Sequence, residues 1–227
     1  MAVRKKNTIV IIDDHPIVRQ GFEQLLEQEP DLEVLGGAED AAGALMLIDR
    51  VRPDLVLLDL SLKHSNGLEL IKDLKNLHPR LMILVVSLHD EEIYAERTIR
   101  AGARGFIMKG EATERIIVAV RRVLGGDIYL SDRMQAKVLH RMASGETAMP
   151  ANPLEGLSDR EIEVFELMGD GMKNQAIAAK LHISIKTVET YKSHLKTKLK
   201  LKDSTELMQH AVAWNLKNNY LSEKNAN

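Results

Sequence analysis

Five short apolar runs alternate with five amphipathic segments over the first half of this chain, and this alternation limits the possible folds more than any other feature. The runs lie near residues 8–12, 32–36, 54–58, 81–87 and 105–108, and the helical patterns lie near residues 15–28, 40–50, 66–77, 90–101 and 112–124. Continuous runs of Val, Ile and Leu are typical of strands that are buried on both faces. Strands that alternate with helices predict a doubly wound α/β domain with a five-stranded parallel sheet.

A change in composition marks the end of this domain. The segment ASGETAMPANPLEG, residues 143–156, is rich in Gly, Pro, Ser and Ala, as linkers often are. Four helical patterns follow it without any strand signal. We therefore expect the α/β domain over residues 1–128, a linker over 129–154 with a short helix near 131–143, and a small all-α domain over 155–220.

Polar side chains lie at the ends of four of the predicted strands. In doubly wound folds, the carboxyl ends of the strands form the edge of the sheet that binds ligands. These side chains are Asp13 and Asp14 after the first strand, Asp59 after the third, Ser87 after the fourth and Lys109 after the fifth. The position of each residue alone has an ordinary explanation, because Asp and Ser commonly cap helices or form turns and Lys is commonly a solvated surface charge. Together they bring three carboxylates to one edge, and such carboxylates repel one another unless a cation lies among them. A set of oxygen ligands around a partly hydrated site suits Mg²⁺.

Four motifs, IIDDHPIVRQG, LVLLDLSL, VVSLHD and GARGFIMKG, occur in this order at the expected strand ends. Over residues 7–125 the chain thereby resembles the flavodoxin-like receiver domain of bacterial two-component response regulators. The resemblance implies that Asp59 is the phosphoacceptor and takes its phosphoryl group from a phosphohistidine of a sensor histidine kinase. It implies that Mg²⁺ is held by Asp13, Asp14, Asp59 and the backbone carbonyl of Ser61. It also implies that the phosphoryl oxygens are bound by Ser87 and Lys109 and that the aromatic switch is Phe106.

The second domain contains a helical pattern with one apolar face and one basic face. Ser158 and Glu161 have the spacing of a capping box, and Ser184 can cap the long third helix. The apolar face of that helix consists of Ile185, Val188, Tyr191, Leu195 and Leu199. Residues 180–202 hold seven lysines and a single acidic residue, Glu189. Two helices around a short turn, the second long and basic, indicate either a helix-turn-helix that contacts DNA or an ordinary solvated helix.

The string KTVETYKSHL, residues 186–195, favours the first of these interpretations. It lies in a region, about residues 155–218, that resembles the LuxR-type domain of NarL/FixJ response regulators. The resemblance implies that base edges are approached by Lys186, Glu189, Thr190 and Ser193. It implies that DNA phosphates are bound by Asn174, Thr187, Lys192 and Lys196. The chain is then expected to regulate transcription by binding double-stranded DNA under the control of phosphorylation, and to form homodimers when it is phosphorylated or DNA-bound.

Two alternatives share part of this pattern. A haloacid-dehalogenase-like phosphatase also uses an Asp nucleophile, Mg²⁺, Ser and Lys on a doubly wound sheet, but it needs an Asp-x-Asp motif after the first strand and a substrate cap. An atypical regulator binds DNA independently of phosphorylation, and its usual sign is an incomplete acidic pocket. Because Asp59 follows the third strand and the pocket is complete, we expect a phosphorylated regulator and not an enzyme.

Composition excludes several other classes of site. The chain has 227 residues and no cysteine, so disulfides, thiolate metal sites and cysteine nucleophiles are excluded. Since no apolar run approaches the roughly 18 residues of a membrane span, we expect a cytoplasmic protein without a membrane partner.

Overall fold

The computed structural model describes residues 6–62, 65–144 and 153–224. The chain divides into two compact units, Met1–Ala143 and Ser144–Asn227. The predicted linker lies partly outside the described residues. In the described part of the chain, no helix is both long and apolar enough to cross a membrane.

The first unit is a doubly wound α/β domain, as predicted. Its strands are β1 (Asn7–Ile12), β2 (Leu32–Ala38), β3 (Leu55–Leu58), β4 (Ser61–Leu62), β5 (Ser65–Asn66), β6 (Met82–Ser87) and β7 (Gly105–Met108). Its helices are α1 (Pro16–Glu27), α2 (Ala41–Val51), α3 (Gly67–Leu77), α4 (Glu91–Ala101), α5 (Lys109–Leu124) and α6 (Asp132–Ser144). Five strands form one parallel sheet in the order β2-β1-β3-β6-β7.

Alternation along the buried strands supplies a core to each face of the sheet. Ile9 and Ile11 of β1 pack in a cluster with Phe22 and Leu26 of α1 and with Val120 of α5. Their neighbours in β1, Val10 and Ile12, are also buried. The strand order changes direction between β1 and β3, which is where doubly wound folds place their sites.

A small antiparallel hairpin, β4 with β5, follows β3 and was not predicted. Its pairing is only two residues long in each strand, too short to leave a periodic signal in the sequence. The chain then returns to α3 through Gly67, where a Cβ atom would lie 2.5 Å from Cα of Leu60. Glycine is therefore needed for this close approach of two backbone segments.

Helix α5 begins at Lys109, three residues before the predicted start near 112. Lys109 is therefore the first residue of a helix rather than part of a loop after β7. The segment after α5 joins the sheet edge, because the carbonyl of Tyr129 accepts from the N–H of Phe106 at 2.9 Å and the N–H of Tyr129 donates to Arg104 at 2.9 Å.

The second unit is helical throughout its described part. It contains a short 3₁₀ helix (Pro153–Gly156) and helices α7 (Asp159–Gly169), α8 (Asn174–Leu181), α9 (Ile185–Lys198) and α10 (Ser204–Lys224). The predicted caps are confirmed: Ser158 and Glu161 form a reciprocal capping box, and the Ser184 side chain accepts from the N–H of Thr187. Helix α10 runs for 21 residues, and its sequence contains no Gly or Pro that would stop it earlier.

Helix α9 buries Val188 and Leu195 completely, as its apolar face predicts. The predicted core position of Ile185 is wrong, because this side chain is 46% exposed. Ile185 is the first residue of α9, and the first buried side chain of the helix is Val188, three residues later.

Candidate functional site

Asp13 and Asp59 lie where β1 and β3 end, with their backbones still held by the sheet. The N–H of Asp13 donates to the carbonyl of Ala38 at 3.1 Å, and the N–H of Asp59 donates to Ile12 at 2.8 Å. Both side chains are buried, with exposures of 2% and 3%. Asp14, the next residue in the chain, is partly exposed. The sheet therefore fixes two of the three predicted carboxylates rigidly and leaves the third at the surface.

Lys109 lies between the two buried carboxylates. Its Nζ atom is 2.6 Å from Oδ2 of Asp13 and 2.8 Å from Oδ2 of Asp59. Burial raises the pKa of the Asp59 carboxyl, and the charge and hydrogen bond of Lys109 offset only part of that effect. Burial by itself lowers the pKa of Lys109, but the carboxylates of Asp59 and Asp13 outweigh it, so the pKa is raised. Lys109 is therefore a firmly charged ammonium at neutral pH.

The carboxylate oxygens of the cluster differ in how they are used. Oδ1 of Asp13 accepts from the backbone N–H of His15 at 2.8 Å, so both oxygens of Asp13 have partners. By contrast, Oδ1 of Asp14 and Oδ1 of Asp59 are buried and have no hydrogen-bond partner among the residues that the structure describes. Buried polar atoms without partners cost free energy. Oδ1 of Asp59 is thus free to bind a ligand, whereas Oδ1 of Asp14 already has Nδ1 of His15 at 2.6 Å.

Four side chains bring ligand atoms close enough together to hold one metal ion. Donor atoms of Asp13, Asp14, His15 and Asp59 all lie within 4.8 Å of one another. Among the described residues, the three carboxylates face the ammonium of Lys109, and Arg19 donates to the backbone carbonyl of Asp13, so the cluster keeps an excess of negative charge. The donor set therefore fits a divalent cation. His15 is an addition to the predicted ligands, and its position directly after Asp14 was the signal that sequence reasoning missed.

Three further residues were predicted for the receiver site: Ser61, Ser87 and Phe106. Ser61 lies in β4, two residues after Asp59, and its backbone slightly lowers the pKa of the Asp59 carboxyl. The Ser61 hydroxyl is 3.0 Å from Nε2 of His89. Ser87 ends β6 in a buried position, where its hydroxyl accepts from the N–H of His89 at 3.2 Å. Phe106 of β7 is fully buried.

Helices α8 and α9 are connected by a three-residue turn and display the predicted DNA-contacting residues. The exposed side chains are Lys186, Glu189, Thr190 and Ser193, and the partly exposed ones are Asn174, Thr187, Lys192 and Lys196. Nζ of Lys192 donates to Oδ1 of Asn174 at 3.0 Å, so this contact joins the two helices. The Thr190 hydroxyl donates to the carbonyl of Lys186 at 3.0 Å and keeps its acceptor lone pairs. Every predicted residue therefore lies at least partly at the surface of the unit.

A buried glutamate fixes α9 against α7. Glu161 is 3% exposed, and its Oε2 atom accepts from Nζ of Lys198 at 2.7 Å and from the N–H of Ser158 at 2.7 Å. Burial opposes ionisation of Glu161, but these hydrogen bonds prevail and lower its pKa. The charged contact sets the position of α9, whereas the sequence pattern had indicated only a helix cap for Glu161.

Known protein families match each of the two units. The chain matches the response regulator receiver domain over residues 9–121 and the luxR family of bacterial regulatory proteins over residues 155–211. It belongs to the response regulators that join a receiver domain to a LuxR-type DNA-binding domain, of the NarL type. This family consists of transcription regulators and not of enzymes, which sets aside the phosphatase alternative.

Individual relatives cover nearly the whole chain. The oxygen regulatory protein NreC of Staphylococcus aureus is 36% identical over 208 residues, which span 90% of this chain and 96% of NreC. The structure of RcsB from Salmonella enterica serovar Typhimurium, bound to the promoter P1flhDC in the presence of the phosphomimetic BeF3⁻, has a TM-score of 0.69 and 26% identity, and covers 92% of this chain and 100% of that one. A structure of two RcsB dimers bound to two parallel DNAs has a TM-score of 0.55 and 25% identity, covering 94% and 99% of the two chains.

Proposed function

We propose that this protein is a cytoplasmic response regulator in which Asp59 accepts a phosphoryl group from a phosphohistidine of a sensor histidine kinase and thereby controls DNA binding. One observation carries this assignment: Oδ1 of the buried Asp59 lacks a partner among the described residues, while Oδ2 is held by Lys109 at 2.8 Å. A nucleophilic oxygen is thus free beside a fixed positive charge. Transfer of a phosphoryl group to a carboxylate needs this arrangement.

The residues of the cluster then have distinct tasks. Oδ1 of Asp59 forms the new bond to phosphorus as the bond from phosphorus to the kinase imidazole breaks, which gives an acyl phosphate. Lys109 and Ser87 hold the phosphoryl oxygens. Asp14, Asp59 and the carbonyl of Ser61 would hold Mg²⁺ directly, and Asp13, whose oxygens both have partners, would act through water. When bound, Mg²⁺ neutralises charge on the transferred group.

Transmission to the DNA-binding domain begins at Ser87 and Phe106. When the Ser87 hydroxyl turns to the phosphoryl group, it gives up the hydrogen bond that it accepts from His89. Phe106 is fully buried and thus already has the inward position that this step requires, and the surface of α4, β7 and α5 changes as Ser87 turns. The backbone bond from Phe106 to Tyr129 supports a role for the segment after α5 in this step. In this assignment, the receiver comprises residues 1–128, a partly helical linker comprises residues 129–154, and the DNA-binding domain comprises residues 155–220.

Helix α9 is the proposed recognition helix for the major groove. Its exposed residues Lys186, Glu189, Thr190 and Ser193 would read bases, and Asn174, Thr187, Lys192 and Lys196 would bind phosphates. The solved relatives support a homodimer on DNA, since RcsB is described both on promoter DNA and as DNA-bound dimers. A dimer requires half-sites whose centres lie about 10 to 10.5 base pairs apart, or a multiple of that spacing.

Phosphorylation by a small donor tests the proposed phosphoacceptor. With Mg²⁺ and acetyl phosphate, the wild-type protein should gain one acid-stable, alkali-labile phosphoryl group, and Asp59→Asn should gain none. Asp73→Asn, which changes an exposed aspartate of α3, serves as the matched control and should be labelled like the wild type. Equal labelling of Asp59→Asn and the wild type would contradict the assignment.

A DNA-binding titration tests the proposed control. DNA selected from a random oligonucleotide pool by the phosphorylated protein should bind it about 5- to 150-fold more tightly than the unphosphorylated protein, which is the usual range of allosteric coupling. Acetyl phosphate should leave the affinity of Asp59→Asn unchanged. Equal affinity of labelled and unlabelled wild-type protein would instead support the atypical regulator that binds DNA independently of phosphorylation.

A further inference from the structure

His15 is the one imidazole that the structure, over the residues it describes, places in the acidic cluster. Its Nδ1 atom is 2.6 Å from Oδ1 of Asp14 and 3.3 Å from Oδ1 of Asp13. The residue precedes helix α1, and its side chain makes no capping hydrogen bond to that helix. Helix capping therefore does not account for an imidazole turned towards three carboxylates.

Nδ1 of His15 and Oδ1 of Asp14 form a close ion-pair contact rather than an aligned hydrogen bond. Oδ1 of Asp14 has no hydrogen-bond partner among the described residues, even with Nδ1 of His15 at 2.6 Å. In an octahedral site, metal–ligand bonds are about 2.1 Å long. Two ligand atoms in adjacent positions of such a site are therefore roughly 3 Å apart. The measured 2.6 Å is shorter than this spacing, so an ion that binds both atoms would move them slightly apart.

A second, independent observation indicates where that ion would lie. The Asp59 side chain is 2% exposed, and its Oδ1 atom is buried without a partner among the described residues. The donor atoms of His15, Asp14 and Asp59 belong to one group within 4.8 Å. An ion at this point would satisfy the unpartnered oxygen of Asp59 and bind the oxygen of Asp14 and the nitrogen of His15 in place of their mutual contact.

We propose that His15 is a further metal ligand of the phosphorylation site and that it gives the site a preference for first-row transition-metal ions such as Co²⁺ over Mg²⁺. This inference rests on the proposed function, whose metal ligands are otherwise all oxygens. Mg²⁺ selects carboxylate, carbonyl and water oxygens, whereas an imidazole nitrogen favours the ions of the transition series. Replacing His15 therefore changes which metal binds best, while the carboxylate that accepts the phosphoryl group stays in place.

Calorimetric titration of the full-length protein with CoCl₂ and with MgCl₂ tests the proposal. His15→Asn keeps a residue that is well suited to the start of a helix, so the fold should survive, and a thermal unfolding measurement checks this. We expect the variant to lose about tenfold in Co²⁺ affinity and to change less than about twofold in Mg²⁺ affinity. The visible absorption of the bound Co²⁺ should change with the loss of the nitrogen ligand.

Two further variants make the result specific. His64→Asn changes the imidazole three residues after Ser61 in the sequence and should keep the wild-type preference. Asp14→Asn should weaken the binding of both metals, which shows that the titrations report on the acidic cluster. An unchanged preference in His15→Asn, or a loss of preference in His64→Asn instead, would overturn the role of His15.

Failure of this inference is distinguishable from failure of the proposed function. If His15→Asn keeps the metal preference but acetyl phosphate still labels Asp59 in Mg²⁺, only the role of His15 is wrong. If neither metal binds to the wild-type protein and Asp59 is not labelled, the proposed function fails and the inference fails with it.

Discussion

Nζ of Lys109 lies 2.8 Å from Oδ2 of Asp59, although the two residues are 50 positions apart in the chain. The same Nζ atom is 2.6 Å from Asp13, so one ammonium compensates two buried carboxylates. A buried charge that loses its partner is far more costly than one at the surface. The stability of the receiver should therefore depend strongly on this group of side chains.

Lys109→Met should reduce the free energy of unfolding of the receiver by about 3–5 kcal/mol, because it leaves two buried carboxylates without a counter-charge. Urea unfolding followed by far-ultraviolet circular dichroism measures the loss. Lys6→Met, which changes an exposed lysine before β1, is the control and should have an effect within about 0.5 kcal/mol. The double variant Lys109→Met/Asp59→Asn should recover part of the loss, and strict additivity of the two changes would contradict the coupling.

Asp59→Asn should stabilise the metal-free receiver at neutral pH. Burial raises the pKa of Asp59, so its ionised form is less favourable in the folded state than in the unfolded state. A raised carboxyl pKa means that stability is lost as the pH rises through the unfolded and then the folded value, and the substitution removes that loss. Unfolding in EDTA at pH 7 should show the gain, and unfolding below about pH 3, where both forms are protonated, should not.

Adding Mg²⁺ should reverse this ranking. A ligand that binds only the folded state stabilises it in proportion to its affinity, and Asp59→Asn lacks one of the proposed ligands. The wild type should therefore gain more stability from Mg²⁺ than the variant does. An equal gain in both proteins would place the bound cation away from Asp59.

Glu161→Gln should destabilise the DNA-binding domain at pH 7 by about 1–3 kcal/mol, because the charged bond to Lys198 and the capping bond are weakened. The folded state lowers the pKa of Glu161, so its contribution is present above the unfolded value of about 4.3 and is lost as the pH falls through the folded value. The difference between variant and wild type should accordingly shrink below about pH 4. Trp214, the only tryptophan of the chain, reports unfolding of this unit by fluorescence, and the exposed Glu189→Gln is the control.

Lys192→Ala should weaken binding to selected and random DNA alike and reduce the salt dependence by about one unit of slope, as expected for a residue that binds a phosphate. Thr190→Ala and Ser193→Ala should instead change sequence preference, by about 1–3 kcal/mol for each base that the variant no longer reads. Electrophoretic mobility shifts at several salt concentrations measure both effects. Equal weakening by all three variants on both kinds of DNA would contradict the division into base-reading and phosphate-binding residues.

The sequence by itself determined the five strands of the main sheet, the helices that alternate with them and the edge at which the polar residues meet. Buried strands read as continuous apolar runs, and parallel strands bring their carboxyl ends to one side, so the convergence of Asp13, Asp59 and Lys109 could be predicted. Caps such as the box of Ser158 and Glu161 could be predicted equally well, since they depend on residues only three positions apart. Local patterns of this kind are set by the geometry of a single helix or strand.

Only the tertiary structure decided how the atoms of the site are used. The position of the Lys109 ammonium decides which oxygens of Asp13 and Asp59 remain free. That position depends on the pairing of β6 with β7 and on the residue at which α5 begins. The hydrogen bond of Ser61 to His89 crosses 28 residues, and the bond of Glu161 to Lys198 crosses 37. Such interactions have no period in the sequence, because the packing of separate elements, and not the geometry of any one of them, brings the partners together.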